Sequence, residues 1–145
     1  MADLSITAAN VVPSSSASKS SKTVQAGATI AAGDLVYVDT DGKIGLADAN
    51  VAAKSVIAGI AVNGGSAGQP VTYVTKDTAG LTIAASGLTI GNVYIASGTA
   101  GKMCPVADAT TGWWVTPVAV VISATAIAFD VTLTAPTHNT GSAVA

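Results

Sequence analysis

Arginine and glutamate are absent from the 145 residues: all six basic residues are lysine and all eight acidic ones aspartate. Without a guanidinium there is no planar fork for gripping phosphate or guanine. A net charge of −2, with the lysines scattered, gives no basic footprint for nucleic acid. Cysteine occurs once, at Cys104, which excludes an intrachain disulfide and a multi-cysteine zinc site. Aromatic residues make up 4%, so the core must come mainly from Val, Ile, Leu and the 29 alanines. Charged residues are only 10%, against about 25% in a typical domain, and mean hydropathy is +0.57. A small domain has much surface to cover. This one is expected to cover it with Ser, Thr, Gly and Ala, and by burying part of it against other chains.

No long apolar run offers a membrane helix. Val115 to Ala135 has about the length to cross a bilayer, but Pro117, Ser123 and Asp130 interrupt it, and no lysine follows it. Its β-branched residues and the "SATA" break predict two paired strands instead. The first residues, "MADLSITAANVVPSS", have neither a charged start nor a continuous apolar stretch and are not expected to be a secretory signal.

What is present is alternation with a period of two, and a repeat. From Thr23 on, strand-length β-branched segments are bounded by Gly, Pro, Asn or Ser, which predicts eight to ten short strands. Only "ADANVAAKS" (Ala47 to Ser55) tolerates a helical turn. "GDLVYVDTDGKIGLADA" (Gly33 to Ala49) returns as "GNVYIASGTAGKMCPVADA" (Gly91 to Ala109), each copy followed by a second apolar run. The offset stays near 58 residues throughout. The fold class expected is all-β: a small sandwich or barrel of two pseudo-repeated units, about 27–80 and 85–134, within one domain over 23–135. Half a sandwich leaves an apolar face exposed, and a second copy can cover it. Residues 1–22, ending in the Ser/Lys run "SSSASKSSK", are expected to be an arm, and 136–145 a flexible tail. The arm is either frayed or ordered on a neighbour, with Leu4, Ile6, Val11 and Val12 as its anchors.

Candidate chemistry is thin. "DTDGK" starts like a calcium loop with Asp39 and Asp41, but Lys43 and Ile44 stand where further oxygen ligands are needed, so a plain turn is expected. Lys102 beside Met103 suggests a biotinyl or lipoyl carrier, yet lacks that family's flanking residues. Cys104 has no partner base, since the one histidine, His138, falls in the tail; a buried or semi-buried structural thiol is expected. "NGGSAGQP" has neither the lysine nor the following helix of a phosphate loop. No catalytic residue, metal or cofactor is expected, and the chain is not expected to be an enzyme. Trp113 and Trp114 are the remaining interface candidates: neighbours on a strand face opposite ways, so one should pack inward and the other outward, where tryptophan serves as an interface anchor.

The order of "AGATIAAGDLVYVDTDGKIGLADAN", "VIAGIAVNGGSAGQPVTYVT", "LTIGNVYIAS" and "GKMCPVADATTGWW", together with the "ADLSITAANVV" arm, resembles the capsid decoration (head cement) proteins of tailed bacteriophages. The likeness runs from Gly27 to Val131. It implies a sandwich or tulip-like fold on the outer surface of a virion, bridging major capsid protein subunits as a homotrimer or dimer, with no catalytic residues. A head-fibre or adhesin module binding host glycans through Trp114 or Tyr73 is the alternative.

Overall fold

In a computed structural model of the chain, residues 3–14, 20–83, 88–131 and 137–138 are described. Strand is by far their predominant regular structure, so the all-β expectation holds. Strands β1 (Ser21–Gln25), β2 (Leu35–Val38), β3 (Ile44–Leu46), β4 (Gly59–Ala61) and β5 (Pro70–Val74) form one antiparallel sheet in the order β1-β5-β4-β2-β3. A second antiparallel sheet takes β6 (Lys76–Thr82), β7 (Val93–Ala96), β8 (Met103–Pro105), β10 (Pro117–Val121) and β11 (Ala126–Asp130) in the order β6-β11-β10-β7-β8. A short ladder joins β9 (Trp114–Val115) to β12 (Thr137–His138). Neither five-stranded sheet closes on itself. In the first, an isolated parallel bridge from Ala26 to Ile44 ties the two edges at one point.

Local chemistry explains the turns. Asp39 and Asp41 each turn a carboxylate oxygen back onto the chain, accepting from the Thr40 N–H at 2.7 Å and the Lys43 N–H at 3.1 Å. Gly42, at φ +82°, takes the left-handed corner that a side chain would strain. The chain then returns along β3, pairing Val36 with Leu46 and Val38 with Ile44. "SATA" behaves likewise: Ser123 Oγ accepts from the N–H groups of Thr125 and Ala126, closing the β10–β11 hairpin. The membrane-length run is thus two paired strands, and no helix among the described residues is long and apolar enough to cross a membrane. The helical tolerance at Ala47–Ser55 resolves as a 3₁₀ turn over Ala52–Lys54.

The alternating strands bury one face of each sheet in a shared core. Leu35, Ile60 and Val74 from the first sheet join Leu81, Tyr94, Val121, Ile127 and Phe129 from the second. A smaller cluster around Val36, Ile44, Val71 and Tyr73 packs on the first sheet's other face. Two boundaries differ from those read in the sequence. The strand over 76–82, expected to end the first unit, belongs to the second sheet. And β1 begins at Ser21, inside the expected arm, pairing along its length with β5.

Candidate interaction surface

Residues 3–14 lie on the chain's own body as a strap. Leu4 is buried in the shared core and donates its N–H to the Met103 carbonyl at 2.7 Å. Ile6, half-buried, lies against Gly33, where a β-carbon would come within 2.8 Å of its Cγ2. Val11 is buried and Val12 is 55% exposed. Val12 adds a rung to the edge of β6, exchanging backbone hydrogen bonds with Thr82 at 2.9 Å in both directions. Two aspartates pin the ends. Ser97 Oγ donates to Asp3 Oδ1 at 2.5 Å. The Ser14 N–H and Oγ–H donate to Asp77 at 2.7 and 2.6 Å, and Asp77 is only 2% exposed. So Leu4 and Val11 lie in this chain's own interior, while Val12 remains on the surface. The Ser/Lys run over 15–19 and the tail over 139–145 lie outside the described residues.

The tryptophans do not divide as alternation suggested. The strand starts only at Trp114, so Trp113 still belongs to the preceding turn, and both are half-buried. Trp113 packs against the shared core and presses on Gly98, where a β-carbon would lie 2.6 Å from its ring. The Trp114 N–H donates to the Ala49 carbonyl at 2.8 Å. Thr137 and His138, expected in a flexible tail, pair with Val115 and Trp114.

The other chemistry-bearing residues are absorbed by the structure. Burial first, then the nearby Asp108 and Asp3 carboxylates, push the Cys104 thiol up to about 11. It is buried and protonated at neutral pH, the opposite of a nucleophile's surroundings. Tyr73, offered above as a sugar platform, is 4% exposed and cannot present a ring face; burial also raises its phenol. Lys102, directly before β8, holds its Nζ 3.8 Å from Asp34 Oδ1. No group of three metal-ligating side chains exists among the described residues.

The outward face of the second sheet stands apart. Period-two alternation and register place Val93, Val120 and Ala128 in one cross-strand row. Ile122 follows Val120 at the next outward position, and Ala126 aligns with Thr82 and thence with Val12. Val120 and Ile122 are 40% and 42% exposed. Lys76 and Asp130, partners in register, stand 3.9 Å apart at the far end of β6 and β11. An aliphatic patch bounded by a polar rim is the usual dress of a contact surface. The sequence hid it because "VAVVI" reads as buried strand on both faces.

No protein-family model, no curated protein and no solved structure matches the chain.

Proposed function

We propose that the protein is a structural decoration protein of a tailed-bacteriophage head, binding the outer capsid surface and bridging major capsid protein subunits. The observation that carries this reading is the exposed aliphatic face around Val120 and Ile122. Burying such side chains contributes about 1–2 kcal/mol each, a modest sum per copy. Repeated over a shell it becomes large, because whatever binds only the assembled state stabilises that state. The reading requires no bond to be made or broken by this chain.

The same proposal includes a duplicated origin. Matched in chain order, β1-β5-β4-β2-β3 becomes β6-β11-β10-β7-β8, with β9 as an insertion. On this reading the units run over about 21–74 and 76–130, in place of the 27–80 and 85–134 expected from the sequence. "TIAA" also recurs, at Thr29–Ala32 and Thr82–Ala85, just after the first strand of the first unit and at the end of that of the second. Purified protein mixed with undecorated capsids should bind at a fixed stoichiometry and raise their melting temperature. Failure to bind would defeat the reading.

A further inference from the structure

The chain has five asparagines, and only Asn63 is followed by glycine. Asn10, Asn50 and Asn92 each precede a valine, whose branched β-carbon crowds its own backbone nitrogen. Two of those valine nitrogens are also engaged: Val11 donates to the Ala8 carbonyl and Val51 to that of Asp48, both at 3.3 Å. Asn139 lies outside the described residues. Asn63 and Gly64 are exposed in the β4–β5 loop, and the Gly64 N–H makes no hydrogen bond among the described residues.

The fold has a use for both residue types here. Asn63 Oδ1 accepts the Thr72 N–H at 2.8 Å, just beyond Ala61 and Tyr73, the last paired residues of β4 and β5. A β-carbon at Gly64 would lie 3.0 Å from the Ile30 carbonyl oxygen. Gly65, next along, exchanges backbone hydrogen bonds with Ile30 at 2.9 Å in both directions. Asparagine thus caps a strand nitrogen at a point where glycine fits best behind it. The cap has a chemical consequence. Attack on Asn63 Cγ puts negative charge on Oδ1, and that oxygen already faces an N–H donor held in place by the sheet.

We propose that Asn63 is a site of covalent modification in the folded protein, converting through a cyclic imide to aspartate and isoaspartate. The Gly64 nitrogen gives its proton to solvent hydroxide and bonds to Asn63 Cγ. The Cγ–Nδ2 bond breaks, and Nδ2 leaves as ammonia, taking a proton from water. Water then adds to either imide carbonyl and breaks that carbon's bond to the ring nitrogen, which regains its proton. In sum, an amide and a water become a carboxyl group and ammonia, with no other reactant. The aspartate product keeps an oxygen to face Thr72. The isoaspartate product lengthens the main chain by a methylene beside Gly65, so the rungs to Ile30 should loosen. Either product adds a negative charge to the loop. The proposal goes beyond capsid binding, and it holds or fails without a capsid present.

The test incubates the full-length protein at neutral and at mildly alkaline pH, beside the same chain held unfolded in guanidinium chloride. Intact mass follows the replacement of amide by carboxyl, and mass spectrometry of proteolytic peptides assigns it to a residue. Asn63 of the folded chain should convert at least as fast as in the unfolded chain. It should also convert about tenfold or more faster than Asn10, Asn50 or Asn92. The rate should rise with pH, since a backbone proton must leave, and Asn63→Gln, which needs a larger ring, should abolish conversion at that position. Slower conversion in the folded chain than in the unfolded one would mean that the Thr72 contact protects the amide, and the proposal is overturned. Conversion at Asn63 no faster than at the asparagines before valine overturns it equally. Wild-type binding to undecorated capsids is read separately, so loss of this inference leaves the proposed function standing, and the reverse.

Discussion

Ser14 and Asp77 show how much a single pair can decide at the residue scale. Asp77 is in phase with Leu81 and Ile83 along its strand, so the period of two that buries those side chains carries a carboxylate inward with them. Ser14→Ala removes a donor from it and should cost about 1–3 kcal/mol of unfolding free energy, measured by urea titration. Ser5→Ala, at an exposed strap position, should cost much less. A second residue-scale consequence concerns alkali. Cys104, with its thiol raised to about 11 from an ordinary 9.0, is protonated in the folded state at pH values where the unfolded chain has begun to lose that proton. Its stabilising contribution is complete below about pH 9 and disappears as pH climbs through 11. Tyr73 and Tyr94 are shifted upward too, chiefly by burial, and reinforce the same sign. Urea midpoints should therefore fall between pH 9 and 11, and Cys104→Ala should flatten part of that fall. The exposures of these residues were only half legible in the sequence. Cys104 was readable as inert because no base accompanies it. The bond from Ser14 to Asp77 was not, since it spans 63 positions and neither residue belongs to a recognisable motif.

At the scale of elements, two glycines that look alike in sequence should behave differently. Gly42 forms the β2–β3 corner with a positive φ and open space around it, so Gly42→Ala pays only backbone strain, about 1 kcal/mol. Gly59 sits inside β4, where a β-carbon would run into the Val74 carbonyl oxygen and lie 2.7 Å from the Tyr73 ring. Gly59→Ala should cost at least about 3 kcal/mol, because backbone rather than a flexible side-chain tip must move. Urea titration of the two variants side by side measures the contrast. The elements themselves were largely legible: alternation, Asp-Gly and the "SATA" break located the hairpins, and those signals are local. What was not legible was which sheet each strand joins. Lys76–Thr82 follows β5 after a single residue, yet pairs with β11 about fifty positions later. No local pattern encodes that choice. It is made by burying Leu81 against Ile127 and Phe129 in a core common to both sheets. The strap escaped for a related reason. Leu4, Ile6 and Val11 lack regular periodicity because they fill separate gaps between elements rather than one continuous face.

For the whole molecule, the account is of two sheets closed over one core, bound by a strap, with an aliphatic face left outward. Lysine at Ile122 puts a charge on that face, at its hairpin end, without touching the interior, where Val121 and Ile127 do the packing. The variant should therefore unfold within about 0.5 kcal/mol of the wild type, as exposed substitutions do. Its effect should be confined to partners. The most direct measurement is binding of the wild type and Ile122→Lys to undecorated capsids in parallel, followed by thermal melting of the loaded shells. The account predicts saturating, stoichiometric binding and a raised melting temperature for the wild type, with affinity at least about tenfold weaker for the variant. Capsids that neither retain the wild-type protein nor melt later in its presence would contradict it.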